Sequence, residues 1–137
     1  MIQNNTISGN SSAGIKLEYP GTSTIVTNNT IIDNYTGIYT IGASGLPIKN
    51  CILWNNNVVF TTDNGTISVT YCCFADGDSG EGNIDDEPDF VDNYHISSDS
   101  LCRDTGKIGT YMGQIDIDGE NRVCNSRVDI GADEYCE

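Results

Sequence analysis

The chain has 137 residues, which is enough for one domain with a modest hydrophobic core. Its 20 acidic and 6 basic residues give a formal charge of −14. Such a charge argues against binding to nucleic acid and to anionic lipid, because both ligands require lysine and arginine. The sequence also has no run of about 18 apolar residues, so it predicts no transmembrane segment.

A short phrase recurs four times in the first half of the chain. It reads Asn5-Thr6-Ile7, Asn29-Thr30-Ile31, Asn50-Cys51-Ile52 and Tyr71-Cys72-Cys73. The steps between successive phrases are 24, 21 and 21 residues. A repeat of this length, made of strand-forming residues, is typical of a solenoid of β-coils.

Three apolar columns accompany each repeat, which predicts three short strands per coil. Because side chains alternate along a strand, we expect one column to point into the core: Ile7, Ile31, Ile52 and Cys73. Parallel strands that are joined by crossovers favour a right-handed path. The sequence therefore predicts an all-β fold, a right-handed parallel β-helix of about three to four coils over residues 1–75.

Asparagines recur in step with these columns. We expect Asn5, Asn29 and Asn50 to stack as a ladder, with Asn10, Asn34 and Asn55 as a second column. Asparagine also tolerates the left-handed conformation at tight bends, so these residues need no catalytic role. The alternative is a row of asparagines that binds sugar.

The composition changes after Phe74. Residues 1–75 contain three carboxylates and two lysines, whereas residues 76–137 contain seventeen carboxylates and four basic residues. We interpret 76–137 as an acidic loop followed by an irregular C-terminal cap that packs on the last coil. Two short strands are predicted within it, at 94–96 and 128–135.

Several motifs then follow one another in a fixed order. They are NCILWN at 50–55, TYCC at 70–73, the 82–92 segment, SLCRDTG at 100–106, DIDG with Arg122, and VDIGADEY at 128–135. Together they resemble the C-terminal region of secreted bacterial right-handed parallel β-helix proteins of the choice-of-anchor type. The resemblance implies a β-helix with an irregular cap, exported and often associated with the cell surface, and it implies no activity. The chain departs from the family in its many cysteines and in Leu101, which replaces a usual proline.

Six cysteines in a small acidic chain indicate an extracellular location or the cell surface, where disulfides persist. Six cysteines allow 15 pairings. Of these we favour Cys51–Cys72, Cys73–Cys102 and Cys124–Cys136. Zinc binding by the cysteines is disfavoured, because the sequence has no Cys-x-x-Cys motif.

No cofactor is expected, although calcium is an alternative. Asp116, Asp118 and Glu120 resemble the start of an oxygen-ligand loop, and Asp76, Asp78 and Glu81 offer a second acidic cluster. The first set lacks the complete ligand series of a calcium loop. A solvated acidic face, or ion pairs with Arg122 and Arg127, is the favoured interpretation.

Catalytic signals are weak. The coils contain only two candidate bases, Lys16 and Lys49, and the single histidine, His95, is expected to be a surface or packing residue. We therefore predict a non-catalytic extracellular module with a structural or adhesive role. Its partners are expected to be a second copy or upstream coils, bound through the open first coil, and carbohydrate is a possible ligand of exposed aromatics such as Tyr35 and Trp54. The alternative is the C-terminal part of a carbohydrate-active enzyme, a lyase or a hydrolase, for which Asp33 and Lys49 are the candidate residues.

Overall fold

The structure, a computed structural model, describes residues 1–75 and 79–136. These residues form eleven strands and no helix, so they contain no helix able to cross a membrane. The strands are β1 (Ile2–Gln3), β2 (Thr6–Ser8), β3 (Ala13–Glu18), β4 (Val26–Thr27), β5 (Thr30–Ile32), β6 (Thr36–Ile41), β7 (Leu46–Lys49), β8 (Ile52–Trp54), β9 (Val58–Asp63), β10 (Ile67–Thr70) and β11 (Cys73–Phe74).

The strands form three parallel sheets, each of which takes one strand from every coil. Sheet A has the order β1-β4-β7-β10, sheet B has β2-β5-β8-β11, and sheet C has β3-β6-β9. All pairings between these strands are parallel. Coil 1 is β1–β3, coil 2 is β4–β6, coil 3 is β7–β9, and β10 and β11 begin a fourth. The structure confirms the predicted parallel β-helix.

The core runs along the axis of the coils. Ile31, Leu53 and Phe74 stack from coils 2, 3 and 4 in sheet B, and Ile38 and Ile48 face them from the other two sheets. All five side chains are buried. Burial of an aliphatic side chain of this size contributes about 1.5–3 kcal/mol, so the stacked columns are the main stabilising feature of the coils.

The strand pairing between coils 2 and 3 is shifted by one residue from the pairing of Ile31 with Ile52 that the repeat predicts. Ile31 pairs with Leu53, whereas Ile52 pairs with Thr30 on the outer face of sheet B. Ile52 is nevertheless fully buried, because the C-terminal region covers this face. The predicted inward column is therefore wrong at Ile52 and at Cys73, which pairs with Ile52 on the same outer face. The observed column continues through Leu53.

The physical reason is a left-handed residue that precedes sheet B in every coil. Asn4, Asn28, Asn50 and Tyr71 have φ of 54°, 50°, 48° and 53°. Asn50 therefore occupies the bend position of Asn4 and Asn28 and not the ladder position of Asn5 and Asn29. Cys51 follows it into the ladder position.

The second asparagine column lies where the strands of sheet B end, and its third member is also shifted by one residue. Asn10 donates Nδ2–H to Asn34 Oδ1 at 2.8 Å, and Asn34 donates to Asn56 Oδ1 at 3.1 Å. The predicted third member, Asn55, instead takes the left-handed bend with φ 54°, as Asp33 does in coil 2 with φ 57°. The column is therefore Asn10, Asn34 and Asn56.

The C-terminal region, residues 79–136, first stacks on coil 4, then packs against the outer face of sheet B and reaches back to coil 1. We call these residues the cap. Ile84 forms a parallel bridge with Cys73 at coil 4, whereas Arg122 donates a hydrogen bond to Asn4 Oδ1 at 3.0 Å in coil 1. The cap thus contacts the first coil as well as the last. Of its two predicted strands, 94–96 contributes only an isolated bridge between Phe90 and Ile96, and 128–135 forms no strand.

A second apolar cluster joins the cap to the coils. Ile52 and Cys73 from sheet B pack against Ile96, Cys102 and Ile130 from the cap. Gly131 passes so close to sheet B that a Cβ there would lie 2.8 Å from the Ile52 side chain, and its φ is 119°. Only glycine fits this approach.

Candidate functional site

Two cysteines take asparagine positions in the first ladder. Asn5 donates from its backbone N–H to Asn29 Oδ1 at 3.1 Å, and Cys72 does the same to Asn83 Oδ1 at 2.9 Å. Between them, the Cys51 backbone N–H donates to Cys72 Sγ at 3.4 Å. The ladder is therefore Asn5, Asn29, Cys51, Cys72 and Asn83.

The Cys51 and Cys72 thiols also replace the asparagine amide as hydrogen-bond donors. Asn29 Nδ2 donates to the Thr27 carbonyl two residues earlier at 2.9 Å. Cys51 Sγ donates to the Lys49 carbonyl at 3.1 Å, and Cys72 Sγ donates to the Thr70 carbonyl at 3.4 Å. Each thiol thus bonds to the carbonyl two residues earlier, as Asn29 does at the same bend.

Cys124 and Cys136 form a disulfide with a Cα–Cα distance of 5.9 Å. Cys51, Cys72, Cys73 and Cys102 are buried thiols, so the structure differs from the expected Cys51–Cys72 and Cys73–Cys102 bonds. Burial raises the pKa of the Cys72 thiol. Contact with the Cys102 thiol, and then burial, raises the pKa of Cys73. A protonated thiol is a poor nucleophile, so a raised pKa disfavours oxidation of Cys72 and Cys73.

Mass spectrometry of the unreduced chain is expected to find one disulfide, Cys124–Cys136. The other four cysteines should react with iodoacetamide only after unfolding, because they are buried. The control is the same labelling after unfolding without reductant, which should modify four cysteines and spare two. A linked peptide that contains Cys51, Cys72, Cys73 or Cys102 would contradict this assignment.

Arg122 anchors the cap from a fully buried position. Its guanidinium donates to the carbonyls of Gly131, Ala132 and Asp133, with distances of 3.2 Å to Gly131 and 3.1 Å to Asp133. Glu134 Oε2 lies 3.8 Å from its Nη1. Burial lowers the pKa of Arg122 and raises that of Glu134 to about 8. This buried ion pair agrees with the expectation that Arg122 pairs with an acidic residue of the cap.

The first candidate calcium loop forms a turn. Asp116 is buried, and its carboxylate accepts backbone N–H groups from Asp118 at 3.0 Å, Glu120 at 2.8 Å and Glu134 at 3.1 Å. These bonds account for its position as a turn former. Of the second candidate set, Asp76 and Asp78 lie outside the described residues. Glu81 accepts a hydrogen bond from the Tyr71 hydroxyl at 2.5 Å.

His95 lies between two carboxylates, which the sequence did not reveal. Its Nδ1 is 2.6 Å from Asp92 Oδ2, and its Nε2 is 2.6 Å from Asp118 Oδ2. The hydrogen bond with Asp92 makes the largest contribution in raising the pKa of His95 to about 9. The sequence predicted only a surface or packing residue. In the structure, His95 instead links the 92–95 segment to the turn at 116–118 through its contacts with Asp92 and Asp118.

A polar groove opens on the coil surface beside the second ladder. Its lining residues come from the bends that follow sheet B in coils 1, 2 and 3: Gly9, Asn10, Ser11, Asp33, Asn34, Tyr35, Asn55 and Asn57. Tyr35 is 56% exposed, and its backbone is bonded to Asn10 O on one side and to the Val58 N–H on the other, both at 2.9 Å. The Tyr35 ring is thus presented from a fixed backbone.

The polar groups of the groove are also held in place. Asn55 Nδ2 donates to Asp33 Oδ1, and both residues have the left-handed bend conformation. A neighbouring cleft shares Asp33 and Asn55 with the groove. Its remaining lining residues are Ile32, Trp54, Glu87, Phe90, Asp92 and Asn93. The two concavities therefore form one surface with Tyr35 towards one end and Trp54 towards the other.

The other candidate catalytic residues are not brought together with this surface. Lys49 lines a different cleft, together with Asn50, Lys107 and Met112. Lys16 pairs with Glu18 at 2.7 Å on the exposed side of β3. The groove therefore contains Asp33 without either lysine of the coils.

The family model described as "Right handed beta helix region" matches residues 1–101. No curated protein and no solved structure matches the chain. The match spans the three sheets and the start of the cap, in agreement with the parallel coils, the left-handed bends and the asparagine ladder. The chain belongs to the right-handed β-helix family.

Proposed function

We propose that the chain is a non-catalytic extracellular module that binds carbohydrate through the polar groove and its neighbouring cleft. The observation that carries this proposal is the combination of exposed Tyr35 with fixed amide and carboxylate groups in one groove. An aromatic face offers apolar contact to the flat side of a sugar ring. Amides and carboxylates supply the donors and acceptors that sugar hydroxyls need.

The residues of the groove are already held in place by hydrogen bonds before a ligand binds. Asn10, Asn34 and Asn56 bond to one another beneath it, and the backbone N–H of Asn57 donates to Asn34 O at 3.1 Å. A surface that is already ordered loses little conformational entropy when a ligand binds. The repeat of similar bends in successive coils suits a polymer with repeating units.

Substitution of Tyr35 by alanine is expected to weaken polysaccharide binding about tenfold or more, as is typical for a central aromatic contact. Affinity electrophoresis in gels that contain one neutral or acidic polysaccharide each would measure the change in retardation. Tyr111→Ala is the matched control, because Tyr111 is 59% exposed and lies on a different cleft. Equal retardation of both variants and the original chain would contradict the assignment of the groove.

The extracellular location rests on the cap. The disulfide Cys124–Cys136 joins two cap segments close to the surface, and such bonds persist in oxidising compartments. The cap has isolated bridges instead of strands, so a covalent link is a reasonable source of its stability. Secretion and association with the cell surface follow from the resemblance to choice-of-anchor proteins and are part of the proposal.

Assembly through coil 1 is the structural part of the proposal. In the described residues, β1, β2 and β3 are each paired on one side only. The Asn5 and Ile7 carbonyls accept hydrogen bonds from coil 2. Because backbone groups alternate in direction along a strand, the N–H and C=O groups of Thr6 and Ser8 face away from coil 2. Such an edge can accept a strand of another coil. We assign a second copy of this chain as the partner.

Sedimentation velocity over a range of concentrations is expected to show reversible association of the chain. Ser8→Pro should reduce it, because proline removes an outward N–H from the edge strand while leaving the pairing of Ile7 intact. Ser44→Pro, at an exposed bend outside the strands, is the control. A monomer at all concentrations up to about 100 µM, well above the range for specific association, would contradict this part of the proposal.

One observation favours the alternative of a carbohydrate-active enzyme. Asp33, Glu87 and Asp92 line the same cleft, and glycoside hydrolases use a pair of carboxylates. Depolymerisation of a bound polysaccharide that is lost in Asp33→Asn would support the enzyme. Binding without depolymerisation supports the adhesive module.

A further inference from the structure

Three segments of the cap that are distant in sequence converge at one surface cleft. His95 follows the bridge residue Phe90, Asp118 lies in the turn that Asp116 organises, and Asp133 belongs to the C-terminal segment. One donor atom from each of these three side chains lies within 4.8 Å of the other two. The cleft is separate from the polar groove in its lining residues.

The histidine is oriented towards this meeting point. Asp92 contacts Nδ1, so Nε2 is the atom that faces Asp118 Oδ2 at 2.6 Å. A carboxylate on the far nitrogen is the usual partner of a metal-binding histidine, because it fixes the ring and its tautomer. On the opposite side, the Ile96 N–H donates to Asp133 Oδ2 at 3.2 Å and positions that carboxylate.

Carboxylates outnumber basic groups around the cleft, where His95 contacts Asp118 and Arg122 contacts Glu134. Its described lining contains Asp118, Glu120, Asp133 and Glu134 but neither lysine nor arginine. Glu134 is 1% exposed, and its Oε1 is buried without a hydrogen-bond partner. Its other oxygen already accepts from the Asp129 N–H at 2.9 Å and faces Arg122.

We propose that His95 Nε2 and the carboxylates of Asp118 and Asp133 bind a divalent cation of the zinc class. Zinc accepts nitrogen and oxygen ligands at about 2.0–2.2 Å, which places tetrahedral donor atoms about 3.4 Å apart. The three donor atoms therefore need to move by roughly 1 Å to reach this geometry. The ion would replace the proton between His95 Nε2 and Asp118 Oδ2, which would be released to solvent. The fourth position is open to water from the cleft.

The donor set favours zinc over calcium. Calcium takes six to eight oxygen ligands, whereas this site presents one imidazole nitrogen and two carboxylates. Three protein ligands are sufficient for zinc when water completes the site. Because the ligands come from separate segments, the bound ion would hold together the part of the cap that lacks strands. The proposed role is structural stabilisation.

Isothermal titration of the full, disulfide-intact chain with zinc chloride, after treatment with EDTA, tests the proposal. We expect one zinc ion per chain and a higher melting temperature with zinc than without it. Asp118→Asn should abolish binding, and Asp92→Asn should weaken it about 10–100-fold, since Asp92 acts on the histidine and not on the ion. Asp99→Asn is the control, because Asp99 is an exposed cap carboxylate outside the cleft.

X-ray absorption at the zinc edge separates this site from the thiols. One histidine with oxygen ligands and no sulfur supports the proposal. Sulfur ligation, binding that is unchanged in Asp118→Asn, or absence of zinc binding would overturn it. Circular dichroism of each variant, compared with the original chain, shows that lost binding does not result from unfolding.

Discussion

Substitution of Arg122 by methionine is expected to lower the free energy of unfolding by about 3–5 kcal/mol. Arg122 is completely buried and donates hydrogen bonds to three consecutive cap carbonyls and to Asn4 of coil 1. Methionine retains much of the volume but leaves these carbonyls unsatisfied. It also leaves Glu134 without its buried cation. Urea unfolding followed by circular dichroism would measure the change.

Arg127→Met is the matched control for Arg122. The Arg127 side chain is 64% exposed, and its guanidinium lies 3.8 Å from Asp104. An exposed ion pair of this kind contributes about 0–1 kcal/mol, so its loss should have little effect. If the two variants unfolded at similar urea concentrations, Arg122 would not anchor the cap to coil 1.

Substitution of Asn29 by alanine is the second change with a large expected effect. Asn29 is fully buried in the first ladder, where Nδ2 donates to Ile2 O at 3.0 Å and to Thr27 O at 2.9 Å. Its Oδ1 accepts the backbone N–H of Asn5. Each unsatisfied buried group costs about 1–3 kcal/mol, so we expect a total loss of about 2–4 kcal/mol in urea unfolding.

The control for the ladder is Asn57→Ala, because Asn57 is an exposed asparagine at a neighbouring bend of coil 3. Its substitution should change the free energy of unfolding by less than about 0.5 kcal/mol. Equal losses in the two variants would indicate that asparagine content, and not the ladder, stabilises the coils.

The fold could be predicted because strand-forming residues recur with a solenoid period. The register of coil 3 could not, because the repeated phrase contains two positions that asparagine can occupy. Asn4-Asn5 and Asn28-Asn29 fill both the bend and the ladder, so Asn50 could belong to either. An alignment of the adjacent pairs Asn4-Asn5, Asn28-Asn29 and Asn50-Cys51 would have given the correct register. It places Asn50 at the bend and Cys51 in the ladder.

The path of the cap was beyond sequence reasoning. The cap has no repeat, and its contacts join residues as far apart as Asn4 and Arg122, which are separated by 118 positions. Tyr35 and Asp33 could be named from the sequence as candidate residues, but their common groove depends on the register of three coils. His95 gave no signal, because its partner Asp118 lies 23 residues away in a segment without periodicity.

We propose above that this β-helix binds polysaccharide without cleaving it. Size-exclusion chromatography with light scattering, applied to the chain after prolonged incubation with a polysaccharide that retards it in gels, tests both parts at once. We predict that the protein co-elutes with the polymer and that the molar mass of the polymer stays constant. Separate elution of protein and polymer across neutral and acidic polysaccharides, or a falling molar mass of the polymer, would contradict the claim.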